Sequence, residues 1–353
     1  MKRGSVDNAS ATGNARPAAL RVAVIGAGSW GSAVAWLLDQ KGHDVQTWAR
    51  EPEIAAAINT DGRNPQYLTE ISFSDRVSAT SDLNEAATGA DAVVMVTPSV
   101  GVRATAQGLT DRLGRDSDGS QIPLIVLSKG VEEHTSYLMT DILEEVLGGP
   151  DRLAALSGPN HAEEISRGLP GATTVASGNQ ATADFFADLF ATDFLRVYTN
   201  DDLTGVELCG AGKNVVAIAC GVVDGLGLGD NAKAALMTRG LAEMARLGAA
   251  MGANPMTYMG LAGMGDLIVT CTSKHSRNRA LGEELASGGS LKAFEERTHM
   301  VAEGAVACKS LNELAQLKGV DLPITRAVYS MLYEDADLRT VMTALMTRPQ
   351  KAE

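Results

Sequence analysis

Lys213 is the only cation in the stretch Gly210-Ala211-Gly212-Lys213-Asn214-Val215-Val216-Ala217-Ile218-Ala219. Burying an ammonium in such apolar company is expensive, and burial lowers its pKa toward the range where an amine both donates and accepts protons near neutrality. Asn214 beside it is a ready hydrogen-bond partner; the alternative is a lysine that snorkels to the surface. Asp266 ends the run Gly260-Leu261-Ala262-Gly263-Met264-Gly265-Asp266, whose glycines imply tight backbone approach. An Asp fixed there can orient a lysine or bind a substrate hydroxyl, or else it serves as a plain N-cap or Asx-turn residue. Ser276-Arg277-Asn278-Arg279 opens a helix after the loop Thr270–His275. Hydroxyl, guanidinium, amide and free helix N–H groups together form a phosphate cradle, against the plainer reading of a capped helix with a basic face. The motifs Ser128-Lys129-Gly130 and Ser157-Gly158-Pro159-Asn160 each follow an apolar strand-like run, at the strand ends where open α/β sheets bind ligands. Lys129 there is either a substrate cation or a solvated loop residue.

Proton transfer and phosphate binding need a partner reagent, and its binding loop is the strongest motif in the chain. Gly26-Ala27-Gly28-Ser29-Trp30-Gly31 has the G-x-G-x-x-G spacing and arrives directly after the apolar run Leu20 to Ile25. The spacing alone is weak, because glycine is abundant (37 residues). Its setting strengthens it: Arg21 to Ile25 reads as a buried parallel strand, Ser32 to Gln40 as a helix stopped near Gly42, and Asp44 to Trp48 as the next strand. That is a βαβ unit of about 30 residues, the size that dinucleotide binding requires. Gly26, Gly28 and Gly31 would turn the chain, admit the pyrophosphate and seat the helix. Where NAD-binding domains place an acid at the end of the second strand, this chain has Arg50. Arg50 suits a 2′-phosphate, which favours NADP(H). Glu51 follows at once and keeps NAD(H) open, and Arg50 can also be read as a solvated residue before a helix. Pro98, after Val93–Thr97, marks another strand end and is expected to line the cofactor.

Strand-like runs continue at Arg76–Thr80, Ala92–Thr97, Leu124–Leu127, Ala154–Leu156, Thr173–Ala176 and Leu195–Tyr198. Helical patterns fall at Pro52–Asn59, Leu83–Thr88, Val100–Leu113, Ser136–Leu147, His161–Arg167 and Thr182–Ala191. Such alternation predicts a mostly parallel, doubly wound sheet with helices on both faces. A TIM barrel is excluded because the alternation stops near Asn200. Beyond it the pattern is helical: Asp201–Gly227, Ala232–Met251, Arg277–Ala286, Leu291–Glu296, Ala305–Leu317, Ile324–Tyr333 and Leu338–Met346. The expected organisation is a disordered tail over 1–19, an α/β Rossmann-type domain over 20–200, an all-α substrate-binding domain over 201–347 and a short tail over 348–353, with the site in the cleft between domains.

The 353 residues suffice for two cores, and 45% hydrophobic content fits a globular chain. A net charge of −13 argues against nucleic-acid binding and leaves any anionic substrate to a few local cations. Residues Val206–Leu228 are apolar, but Glu207, Lys213, Asn214 and Asp224 interrupt them, so a buried helix is expected and no transmembrane segment. Cys209, Cys220, Cys271 and Cys308 lack C-x-x-C pairing and read as buried thiols in a reducing cytoplasm; the five histidines have no metal spacing, and no metal is expected.

With these residues in place the chain resembles the soluble bacterial NAD(P)-dependent glycerol-3-phosphate dehydrogenase family over about residues 20 to 346. The resemblance is carried by Gly26–Gly31, Ser128-Lys129-Gly130, Ser157-Gly158-Pro159, Gly212-Lys213-Asn214, Gly263-Met264-Gly265-Asp266, Ser276-Arg277-Asn278-Arg279 and Val301-Ala302-Glu303-Gly304. It implies a helical domain like the C-terminal one of 6-phosphogluconate dehydrogenase, a homodimer, and reversible reduction of dihydroxyacetone phosphate to sn-glycerol 3-phosphate for glycerophospholipid synthesis. It assigns Lys213 as acid/base, with Lys129 and Asp266 assisting, and places Lys129, Gly158, Asn160, Asp266, Ser276, Arg277 and Asn278 around the substrate. It places Ser29, Trp30, Arg50, Lys129, Ala162, Arg277, Val301 and Glu303 around the cofactor. Asn160 stands where the family often has Thr or Ser, and Tyr67 matches a position where some members lay an aromatic ring on the cofactor. Two other readings of the same residues are a β-hydroxyacid dehydrogenase, which would need a carboxylate site, and a non-catalytic dinucleotide sensor, which would not need Lys213, Asp266 and Lys129 together.

Overall fold

The computed structural model describes residues 19–298 and 301–349. All but the last residue of the expected 1–19 tail, and residues 350–353 of the C-terminal one, lie outside the described residues.

Eight strands form one sheet: β1 (Arg21–Ile25), β2 (Asp44–Trp48), β3 (Val77–Thr80), β4 (Ala92–Met95), β5 (Leu124–Val126), β6 (Leu153–Ser157), β7 (Gly171–Ala176) and β8 (Leu195–Asn200), in the order β3-β2-β1-β4-β5-β6-β7-β8. The pairing is parallel except between β6 and β7. Alternation along β1 sends Val22 and Val24 into one core, with Leu37, Leu38, Phe186 and Phe190, and Ala23 and Ile25 into another, with Met95, Leu109, Ile142 and Leu143. Helices α1 (Ser29–Gln40), α2 (Pro52–Asp61), α3 (Leu83–Ala87), α4 (Val102–Gly108), α5 (Thr110–Leu113), α6 (Met139–Leu147), α7 (Ala162–Ile165) and α8 (Gln180–Phe190) belong to this first half. β1 pairs with β2 on one side and β4 on the other, so the winding direction reverses there. The crevice beyond the ends of β1 and β4 is therefore the topological switch point, the usual ligand position in such sheets.

From Asp201 onward the chain is helical: α9 (Leu203–Gly225), α10 (Gly229–Ala250), α11 (Pro255–Tyr258), α12 (Asp266–Thr272), α13 (Arg277–Ala286), α14 (Leu291–Thr298), α15 (Glu303–Lys318), α16 (Pro323–Tyr333) and α17 (Leu338–Met346). α9 is the hub. By length and composition it is apolar enough to cross a membrane, yet its apolar window is wholly buried inside the fold, against α10, α12, α13, α15 and α16. Glycine lets the closest of these neighbours approach: a Cβ on Gly282 of α13 would lie 2.0 Å from the Ile218 carbonyl oxygen of α9.

Four expected boundaries are corrected. Val100–Leu113 is not one helix but a 3₁₀ turn (Ser99–Gly101) followed by α4 and α5. Gly101 and Gly108 weaken the run, and the Thr110 hydroxyl donates to the Gln107 carbonyl at 2.9 Å across the break. The helix expected from Ser136 starts at Met139, because His134 (φ 69°) and Ser136 (φ 60°) hold left-handed backbone. His161–Arg167 contracts to the single turn of α7. The loop expected from Thr270 begins later, since α12 runs to Thr272. Its β-branched Ile268, Val269 and Thr270 disguise a helix that Leu267 and Cys271, buried four residues apart, anchor to α9. All four cysteines are buried and free.

Candidate active site

The dinucleotide loop joins β1 to α1, and its three glycines do three different things. Gly26 has φ 128°, and a Cβ there would meet the Val96 carbonyl oxygen at 2.9 Å. A Cβ on Gly31 would fall 1.9 Å from the Gly26 carbonyl oxygen, so strand and helix touch at this point. Around Gly28, the N-cap of α1, a Cβ would meet no protein atom within 4 Å. That is the division of labour a pyrophosphate cradle requires: tight at both ends and open in the middle, facing the free N–H groups of a helix start. Ser29 reaches Glu163 at 3.5 Å, and Trp30 is partly buried against the sheet. Asn64, fully buried, ties the loop down: its amide donates to the Ala27 carbonyl (2.8 Å) and Ser32 hydroxyl (2.9 Å), while its oxygen accepts from Gln66 and Tyr67 N–H. Half-buried Tyr67 is thereby held beside the loop. Pro98 is exposed at the end of β4 and leads into Ser99. At the end of β2, Arg50 is 80% exposed and paired with Glu51 at 2.7 Å.

The chemical centre lies where the two halves meet. Asp266 starts α12 and is 2% exposed. Its Oδ1 accepts from Lys213 Nζ, and its Oδ2 accepts from Lys129 Nζ at 2.7 Å and from the Ser157 hydroxyl at 3.2 Å. Lys213 also donates to the Thr270 hydroxyl at 3.0 Å, one turn along α12 from Asp266. Lys213 comes from the middle of α9, Lys129 from the loop after β5 and Ser157 from the end of β6. A Cβ on Gly210 would stand 3.2 Å from Lys129 Cγ, so the bare flank of α9 admits the lysine stem. Two ammonium groups on one carboxylate leave a local excess of one positive charge in a protein of net charge −13. Burial pulls the Lys213 ammonium down to about 8, with Asp266 opposing the fall and Lys129 adding to it. Burial also works against ionisation of Asp266, but Lys129 and Lys213 overcome it and hold that carboxyl at about 2. A buried amine that titrates near neutrality and sits in a net-positive cluster can protonate a developing alkoxide and stabilise its charge.

The remaining expected residues flank this cluster. Gly158 (φ 156°) would carry a Cβ 2.7 Å from Thr173 Cα, so it brings β6 hard against β7. Asn160 donates to the Thr173 hydroxyl at 3.0 Å, which donates to the Ser157 carbonyl at 3.1 Å. Ala162 is buried at the head of α7. Ser276 is buried and caps α13 by accepting from Arg279 N–H at 3.3 Å, which leaves its own proton available to a ligand. Arg277 is exposed, and Arg279 is bound to Asp224 (2.7 Å) and Glu283 (2.9 Å). Asn278 accepts from Gly304 N–H at 2.9 Å and so fastens α13 to the start of α15. There Glu303 accepts from the Ser99 hydroxyl (2.7 Å) and N–H (3.3 Å) at the switch point. Burial pushes the Glu303 carboxyl up, against the Ser99 hydrogen bonds and the nearby Arg277 charge. Val301 is exposed just before it. Sequence reasoning passed over Thr270, Asn64, Ser99 and the hydroxyl of Ser157. Thr270 was findable, since it lies four residues beyond Asp266, but only once Asp266–Thr272 is known to be helical.

Comparison with known proteins follows the same division. Residues 21–183 match the family model for the N-terminus of NAD-dependent glycerol-3-phosphate dehydrogenase, and residues 202–343 match the model for its C-terminus. A glycerol-3-phosphate dehydrogenase [NAD(P)+] of Pelodictyon phaeoclathratiforme is 44% identical over 336 residues, 95% of this chain and 99% of that protein. One of Moorella thermoacetica is 46% identical over 332 residues, 94% and 97% of the two chains. Among solved structures, glycerol-3-phosphate dehydrogenase of Coxiella burnetii superposes with a TM-score of 0.88 at 35% identity, covering 94% of this chain and all of that one. A ketopantoate reductase of Ralstonia eutropha shares the fold at 18% identity with a TM-score of 0.59.

Proposed function

The chain belongs to the NAD-dependent glycerol-3-phosphate dehydrogenase family, and from that premise we propose that it catalyses reversible NAD(P)H-dependent reduction of dihydroxyacetone phosphate to sn-glycerol 3-phosphate. The observation that carries the chemistry is the buried Lys213–Asp266–Lys129 cluster at the junction of sheet and helices. The open middle of the Gly26–Gly31 loop fits a dinucleotide pyrophosphate. When bound, the cofactor supplies a hydride to the carbonyl carbon from C4 of its nicotinamide. Lys213 Nζ gives its proton to the carbonyl oxygen as that oxygen becomes an alkoxide, and Asp266 holds the lysine in place. Lys129 adds positive charge beside the same oxygen. Ser276, Arg277, Asn278 and the N–H groups of the α13 start take the phosphate, which fixes the carbonyl before the reaction. Gly158 and Asn160 close the substrate side. Ser29, Trp30, Tyr67, Pro98, Ala162, Val301 and Glu303 line the cofactor side with the glycine loop.

The cofactor is NAD(P), and within that class we assign a preference for NADP(H) to Arg50, whose guanidinium can exchange Glu51 for a 2′-phosphate. The remaining assignments are a division into 20–200 and 201–347, a homodimer, and action in the cytoplasm, feeding glycerophospholipid synthesis. Steady-state assay with dihydroxyacetone phosphate, 6-phosphogluconate and short 3-hydroxy acids tests the substrate. Turnover confined to the keto phosphate is expected, and a preference for a 3-hydroxy acid would contradict the reading.

A further inference from the structure

Two imidazoles face each other across the seam between the halves. His161 lies in the short segment from Asn160 to Ala162, between β6 and α7, and His275 immediately precedes Ser276 on the other side. Their ring centroids are 6.1 Å apart at an interplanar angle of 57°. His161 Nε2 is buried and has no hydrogen-bond partner among the described residues, although buried imidazole nitrogens are ordinarily paired. The ring is close enough to Lys213 and Asp266 to sense both charges. The pair thus spans from the lysine–aspartate centre to the head of the Ser276–Asn278 turn, one histidine from each half. That path is the one a three-carbon phosphate must occupy if its carbonyl meets Lys213 and its phosphate meets α13. Burial and the charge of Lys213 lower the His161 pKa, with Asp266, Glu163 and Glu164 opposing, so the ring acts as a neutral hydrogen-bonding group there. His275 is exposed at the phosphate end.

We propose that His161 and His275 are additional substrate-binding residues that grip the phosphate end of the substrate from opposite sides of the seam, His161 through its buried Nε2 and His275 as an outer hydrogen-bonding group. The inference rests on the keto-phosphate reading above. It gives the pair a role in affinity for phosphorylated substrate and none in cofactor binding, and it makes substrate selection depend on the two halves being correctly apposed.

The test uses the full chain with His161→Gln, His275→Gln and His275→Lys. Hydrogen bonds to a charged group are strong, so His161→Gln should raise KM for dihydroxyacetone phosphate roughly tenfold or more, and His275→Gln about threefold to tenfold. His275→Lys should return KM toward the parent value. The Kd for NADPH, followed by its fluorescence, should not move in any of the three, and kcat/KM for unphosphorylated dihydroxyacetone should stay with the parent. A merely structural role would raise the NADPH Kd and depress both substrates together, and that result overturns the proposal, as does an unchanged KM in both glutamine variants. Binding of sn-glycerol 3-phosphate measured by calorimetry separates this claim from the parent reading. If the unmodified protein fails to reduce dihydroxyacetone phosphate, the proposed function falls, and the imidazole pair stands or falls on whether the glutamine variants weaken that binding.

Discussion

Lys213 can act as a proton donor near neutrality because three influences on one amine nearly balance. Burial and Lys129 push its pKa down, Asp266 pushes it up, and the balance rests at about 8. Reduction consumes the protonated form and oxidation needs the neutral one. The rate of reduction should therefore fall as pH rises through about 8, while the rate of sn-glycerol 3-phosphate oxidation should rise over the same interval. Paired pH profiles of kcat in the two directions check this, and limbs of the same sign in both would contradict it. Asp266→Asn removes the main influence that raises the lysine pKa, so the reduction limb should shift to lower pH. Breaking a buried ion pair from one side should also lower stability by about 3–5 kcal/mol, measurable by denaturant unfolding. Arg50→Ala should raise KM for NADPH about tenfold and leave KM for NADH nearly unchanged, because only NADPH carries the 2′-phosphate. Equal effects on both cofactors in parallel titrations would count against the NADP(H) assignment. These charged residues were legible in the sequence because each stands out from apolar or glycine-rich neighbours. Ser157 and Thr270 were not, since a hydroxyl is common everywhere and acquires meaning only from what it faces.

At the scale of elements, α9 carries both Lys213, the proposed proton donor, and one of the contacts that hold the halves together. Glu207, nearly two turns before Lys213, accepts from the N–H and hydroxyl of Thr140 at the start of α6 in the first half. Burial raises its carboxyl to about 7, with the Thr140 donors opposing. In the unfolded chain a glutamate titrates near 4.5, so between these values the folded protein binds the extra proton, and stability should fall as pH rises from about 4.5 to 7. Glu207→Gln cannot titrate and should flatten part of that fall, read as the difference in thermal midpoint between pH 5 and pH 7. An unaltered slope would show that the clamp is not coupled to folding. Strands were easy to find in the sequence because a parallel sheet covered on both faces demands continuous apolar runs, as the wholly buried β4 shows. α12 was harder. Its β-branched residues favour strand by propensity, and only packing on α9 makes it helical.

For the whole molecule, the sheet supplies a switch point and the helical half supplies Lys213, the proposed acid, with Asp266. Lys129 and Ser157 come from strand ends, Lys213 and Asp266 from helices, and they become one cluster only when the halves pack. The sequence could announce the two halves, since alternation gives way to helical periodicity near Asn200, and could nominate the members of the site. It could not show that a single carboxylate would collect both lysines, because that depends on the α9 crossing and on the bare flank at Gly210. The central claim is that this chain reduces dihydroxyacetone phosphate with Lys213 as the proton donor. The most direct measurement is NADPH oxidation with dihydroxyacetone phosphate by the parent protein and by Lys213→Met, alongside the Kd of each for NADPH. The account predicts turnover by the parent, a loss of roughly 10²–10⁴-fold in kcat for the variant, and cofactor binding within twofold. Near-normal turnover by Lys213→Met, with NADPH bound equally well, would contradict it.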